Sequence, residues 1–255
     1  MKEIPSTGMN RTGVQMSPFD IEDMKAASSS GAAPSPAGDA TAIAALRSSY
    51  ITEADPLGTV PAPGTVTGAL KTGVSLMTGH LPQILLDKLG ERLAFERTGA
   101  RLYDALVTKV TALEQDGTPT IPRDRLLQIR EEEARHANLI TDAIRALGGD
   151  PTSITPSADV VGVESMGLLQ VVTDPRTSVA QSLHAMLVAE MTDNHGWESL
   201  IALTEAQNHD RMAADFRNAL DEERSHLQQV QTWVEEAMLG SAAPTAAATS
   251  PPSMH

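Results

Sequence analysis

Apolar residues recur every three or four positions through four long stretches between residues 82 and 239, the spacing of a hydrophobic stripe on one helix face. The first stretch opens with Pro82 in its first turn and stops at Asp116-Gly117. The second begins after Ile121-Pro122 and ends at Gly148-Gly149, with Asp150-Pro151 beyond. A third runs from near Pro175 to about Asn208, and a fourth from near Asp210 to just before Gly240. At about 1.5 Å per residue these predict helices of roughly 40–50 Å, longer than the globular mean and suited to a bundle.

The links between the stretches differ in length. Short turns join the first helix to the second and the third to the fourth, which predicts two antiparallel pairs. Between Asp150 and Asp174 lies a long connection, with Val160 to Val172 as a candidate short helix. A segment of that length can carry the chain from one end of a bundle to the other before the second pair packs on the first. The predicted fold is all-α: a four-helix bundle over residues 81–239 with one long crossover between its second and third helices.

The two ends have a different character. Residues 1–80 are rich in Ser, Ala, Gly, Pro and Thr, as in Ala26 to Ala42 and Pro61 to Gly68. This composition predicts a mostly extended or disordered N-terminal region, compatible with a partner-binding role. Residues 240–255 have the same composition and read as a flexible tail.

Composition then acts by exclusion. Aromatic residues are only 3% of the 255, too few for a typical sheet sandwich. Cysteine is absent, which removes disulfides, thiolate metal sites and iron–sulfur clusters. The net charge of −14, without a basic cluster, argues against nucleic acid and anionic membranes as partners. There is no apolar run of about 18 residues to span a bilayer. The first residues lack the basic and apolar segments of a secretory signal, so a cytoplasmic location is expected.

The candidate chemistry lies on the stripes themselves. Glu-x-x-His occurs twice, as Glu133-Ala-Arg-His136 in the second helix and Glu223-Arg-Ser-His226 in the fourth. A spacing of three projects both side chains from one helix face, so they can reach one ion. Carboxylate with imidazole suits iron, manganese or zinc better than calcium. Glu133 has Leu126 and Ile140 two turns either side, and Glu223 has Phe216 and Val230. Glu96 is flanked in the same way by Leu89 and Tyr103, and Glu190 by Leu183 and Trp197. Each helix therefore turns one carboxylate toward the core, where an uncompensated charge costs on the order of several kcal/mol. Two divalent cations would balance the four.

The order Glu, Glu-x-x-His, Glu, Glu-x-x-His over four helices resembles the ferritin-like superfamily. The resemblance covers residues 81–239 and implies a di-iron carboxylate centre. Its ligands would be Glu96, Glu133, His136, Glu190, Glu223 and His226, with Glu133 and Glu223 as candidate bridges. Two iron ions are the implied cofactor, with manganese or a mixed pair as alternatives. Rubrerythrins, similar in this bundle, usually add a four-cysteine module, which this chain lacks. An external electron donor, or Fe(II) itself, would then supply electrons. Bacterioferritins carry a haem-ligating Met directly after the second-helix Glu; Ala134 stands there, so no haem is implied. The tail does not resemble the fifth helix of cage-forming ferritins.

The implied activity is oxidation of Fe(II) by O2 or hydrogen peroxide, of ferroxidase or peroxidase type. Iron binding or storage without turnover, and oxygenation of an organic substrate, are the alternatives; a homo-oligomer is compatible with each. Glu131, Glu132, Asp221 and Glu222 read as solvated helix charges. Asp193, one turn after Glu190, reads as a neighbour of the site or a solvent-facing residue more than a further ligand. Tyr103 reads as a core aromatic with its hydroxyl satisfied, Trp197 and Trp233 as packing, His184 and His195 as lying off the Glu190 face, and His209 as a helix-end residue.

Overall fold

The computed structural model describes residues 18–29, 40–61, 82–113 and 121–242. The chain divides into two units, Met1–Pro56 and Leu57–His255. All regular structure among the described residues is helical. In the first unit, α1 covers Pro18–Ser29 and α2 covers Thr41–Glu53. These helices fall in the region expected to be mostly extended or disordered, and correct that expectation locally. The rest of residues 1–80, apart from 40 and 54–61, lies outside the described residues, as does the tail from 243 onward.

The second unit contains α3 (Pro82–Leu113), α4 (Arg123–Ala146), α5 (Pro156–Thr173), α6 (Val179–Ala206) and α7 (Asp210–Ala242). Helix α3 starts at the expected proline; the Asp116-Gly117 stop lies outside the described residues. Helix α6 begins four residues after Pro175. Asp174 accepts the backbone N–H of Arg176 and shapes a turn instead. Ser178 then caps the helix through a reciprocal exchange with Gln181. Helix α7 continues through Gly240 rather than ending before it. The α6–α7 turn passes through Asn208 at φ 61°, a left-handed position that Asn tolerates better than most residues.

Partner residues fix the helix directions. Along α3, Leu86 lies under Gly149, Glu96 faces His136 and Asp104 pairs with Arg130, so α4 runs antiparallel to α3. Against α6, Arg92 meets Asp193, Tyr103 meets Glu190 and Lys109 meets Ser182, again antiparallel. Helix α7 runs antiparallel to α6 through Glu205–Arg217 and Glu198–Arg224. It is also antiparallel to α4, with His226 beside Glu132 and Glu222 beside His136.

Helix α5 lies along α3 and is pinned at both ends. At its start, Asp87 accepts hydrogen bonds from the Ser157 N–H (2.9 Å) and hydroxyl (2.6 Å). Thr155 caps the first turn. At its far end, the Lys109 ammonium donates to the carbonyls of Asp174 (2.9 Å) and Thr177 (3.1 Å) and to the Ser182 hydroxyl (3.0 Å).

The core of this unit has two apolar layers. One contains Leu102, Leu106, Leu126, Ile129, Leu183, Met186, Val230 and Trp233; the other contains Leu85, Leu89, Ile140, Trp197, Leu200 and Phe216. On α3, α4, α6 and α7 alike, the acidic and imidazole residues fall between the two layers. No helix among the described residues is long and apolar enough to cross a membrane.

Candidate functional site

The structure brings all six residues of the candidate ligand set to the same place. Glu96, Glu133, His136, Glu190, Glu223 and His226 are each at most 3% exposed. They form two groupings whose offered atoms lie within 4.8 Å of one another: Glu133, Glu190, Glu223 and His226 in one, and Glu96, His136 and Glu223 in the other. Glu223 belongs to both, whereas Glu133 belongs to one.

The two imidazoles are oriented alike. Nδ1 of His136 lies 2.5 Å from Glu223 Oε1 and 3.7 Å from Glu96 Oε2. Nδ1 of His226 lies 3.0 Å from Glu223 Oε2 and 3.3 Å from Glu133 Oε1. Both Nε2 atoms point outward to a carboxylate on the opposite helix. Glu222 Oε2 is 2.9 Å from His136, and Glu132 Oε2 is 2.8 Å from His226. In a neutral imidazole, a proton placed on Nε2 by that contact leaves the Nδ1 lone pair facing the cluster, the tautomer a metal ligand requires.

These contacts correct the reading of Glu132 as a solvated charge and add a role to Glu222, which is solvated as expected. Glu132 is buried and also accepts from Gln128 at 2.9 Å; Glu222 is exposed but bound to Arg135 at 3.1 Å and to His136. The signal for them was present: a second Glu precedes each Glu-x-x-His, as Glu132-Glu133 and Glu222-Glu223. Asp193 is buried beside the cluster and belongs to neither grouping; its Oδ1 is ion-paired with the buried Arg92, while its Oδ2 receives no hydrogen bond. Arg92 had escaped notice, although it lies one turn before Glu96 on the same stripe as Leu85 and Leu89. Tyr103 donates its hydroxyl to Glu190. Trp197 packs edge-on against His136, ring centroids 5.7 Å apart, and His184 and His195 are exposed.

Backbone proximity makes the arrangement possible. At Gly99 an added Cβ would lie 2.1 Å from Glu133 Oε2, so the absence of a side chain lets that carboxylate lie against α3. Asn194 ties α6 to α7 beside the cluster by donating to the carbonyls of Glu190 (3.0 Å) and Glu223 (3.1 Å).

The electrostatics are those of crowded acceptors. Glu96 Oε1 and Oε2, Glu190 Oε2, Glu223 Oε1 and His136 Nδ1 are buried and receive no hydrogen bond. Burial raises the carboxyl groups of Glu96, Glu190 and Glu223 well above their usual range, and the neighbouring acids Asp193 and Glu133 add to it. Glu133 is raised chiefly by burial. Burial also lowers His136. It would lower His226 too, but the hydrogen bond and charge of Glu133, with Glu190 behind them, push that imidazole up to about 9. A cluster with more lone pairs than donors fits cations, and its mixed oxygen–nitrogen donor set suits a transition metal.

A scan against protein-family models finds no match for the chain, and searches of characterised proteins and of solved structures find none either.

Proposed function

We propose that this cluster holds two iron ions and that the protein is a di-iron oxidoreductase reacting Fe(II) with O2 or hydrogen peroxide. The observation that carries this reading is Glu223, whose two oxygens serve two separate groupings of buried ligands. The proposal includes the fold: α3, α4, α6 and α7 as a ferritin-like four-helix bundle, with α5 as the crossover between its second and third helices. The antiparallel relations of those four helices, and the pinning of α5 along α3, support it.

Glu96 and His136 would hold one ion, Glu133, Glu190 and His226 the other, and Glu223 both. Bound iron would supply one-electron redox chemistry toward a small oxidant. The chain's own residues prepare for this. Glu132 and Glu222 fix the two imidazoles, and Tyr103 holds one oxygen of Glu190. The apolar layers above and below keep bulk water from the carboxylates, which strengthens their pull on a cation.

Anaerobic titration with Fe(II), followed by separate pulses of O2 and of peroxide, tests the proposal. The expected result is two ions per chain and rapid oxidation by one of the two. Uptake without oxidation would favour iron binding alone. Absence of uptake would remove the proposal.

A further inference from the structure

We propose that Arg92 is a positioning residue that sets the ligand count of this cluster, by withholding Asp193 from the ions and engaging one of the two Glu96 oxygens. The inference rests on the metal reading above and narrows it.

Arg92 sits on α3 one turn before Glu96 and is 4% exposed. Its Nη2 donates to Asp193 Oδ1 at 2.5 Å and its Nη1 to the Asp193 carbonyl at 3.1 Å. Its Nε lies 3.0 Å from Glu96 Oε1. The flat cation lies over the Phe95 ring, 4.6 Å from the centroid. Space for it is reserved on α6: at Gly196 an added Cβ would lie 1.8 Å from Nη1 and 3.0 Å from Cζ. A planar, permanently charged fork suits this slot, where a lysine could not meet a carboxylate and a carbonyl together.

Asp193 follows Glu190 by one turn and is equally buried, so without Arg92 the cluster would contain a fifth uncompensated carboxylate. With the guanidinium in place, Asp193 joins neither ligand grouping. Four carboxylates then remain for two divalent cations, and their charges cancel. Glu96, drawn toward Arg92 through Oε1, turns Oε2 toward His136.

This role predicts an unusual sign. Removing a guanidinium near two cations subtracts a repulsive charge and frees carboxylate oxygens, so cations should bind more tightly. Damage to the fold would loosen them. Co(II) is the probe, titrated anaerobically into the full-length protein, because its visible bands weaken as coordination number rises. Arg92→Gln should bind Co(II) at least about tenfold more tightly than wild type, with a weaker band per ion. Asp193→Asn, which leaves Arg92 to bear on Glu96 alone, should bind on the order of tenfold more weakly. Gly196→Ala keeps every charge but expels the guanidinium from its slot, and should weaken the band as Arg92→Gln does. It also serves if Arg92→Gln does not fold. Two Co(II) per wild-type chain, with affinity and bands unchanged in Arg92→Gln and Gly196→Ala, would overturn this role alone. A wild-type chain that takes up no Co(II) would overturn the metal reading and this role together.

Discussion

Oε2 of Glu132 on α4 lies 2.8 Å from Nε2 of His226 on α7. The reverse contact, from Glu222 on α7 to His136 on α4, spans 2.9 Å. Each imidazole is thus held by the glutamate that precedes the other helix's candidate ligand. Carboxylates placed behind a ligating His typically contribute about 10–100-fold to metal affinity. Glu132→Ala should therefore weaken metal binding within about that range, measured by anaerobic calorimetry. Glu222→Ala should cost less, because water can replace an exposed carboxylate. Equal, wild-type affinities in both variants would deny these residues their role.

Acidification should stabilise the metal-free protein. Glu96, Glu190 and Glu223 are raised in the folded state by burial first and by neighbouring acids second. A group raised in this way contributes fully below its unfolded value, and the contribution disappears as pH climbs through the folded one. His226 has the same sign: its contribution is present below its ordinary 6.5 and is lost by about 9. Among the lowered groups, His136 acts in the opposite direction near and below its ordinary 6.5, one group against four, while Asp87 and Asp174 do so only near and below 3.8. Chelator-treated protein should melt at a higher temperature at pH 6 than at pH 9. The opposite order would contradict the burial of these groups. Metal loading should reverse the trend, since ions compete with protons for the same atoms.

Glu133→Ala removes a carboxylate from between the two apolar layers. The variant should lose at least one ion on anaerobic Fe(II) loading, read by elemental analysis. Metal-free, it should be more stable than wild type by roughly 1–3 kcal/mol, since a buried charge is costly when nothing binds it. Wild-type iron content in the variant would remove Glu133 from the ligand set.

Gly99→Ala separates helix propensity from site geometry. Alanine favours a helix over glycine by about 1 kcal/mol, but here its methyl would collide with the Glu133 carboxylate. Metal affinity should fall by about tenfold or more while the helical signal in circular dichroism is kept. An unaffected affinity would show that Glu133 can reach the cluster by another path.

Lys109→Met cuts the tie between α3 and the turn that leads from α5 into α6. Loss of the ammonium's hydrogen bonds should cost about 1–3 kcal/mol in urea denaturation. Iron uptake should remain at its wild-type stoichiometry, because Lys109 touches none of the six ligand candidates.

The helices and the six converging residues were legible because both follow from spacing. A carboxylate with apolar neighbours two turns either side must enter the core wherever the helix packs, and Glu96, Glu133, Glu190 and Glu223 all do so. The start of α6 was misplaced because Pro175 resembles a first-turn proline, while Asp174 captures the next N–H and delays the helix to Ser178. Glu132 was misread because its own helix offers it no apolar flank on both sides. What buries it is His226, nearly a hundred residues away in the chain. Arg92 was hidden for a related reason: its meaning depends on Asp193 and on the vacancy at Gly196, and no local pattern joins those three.

The crossed pairing of glutamates and histidines has a consequence for how the protein matures. Neither the α3–α4 hairpin nor the α6–α7 hairpin contains the carboxylate that orients its own imidazole. A chain cut between α4 and α5 would yield two fragments, each with half of the six candidate ligands and a rotationally loose histidine. On the di-iron proposal, metal capture would report on the union of the two hairpins, and iron arriving during synthesis would have to wait for the last helix.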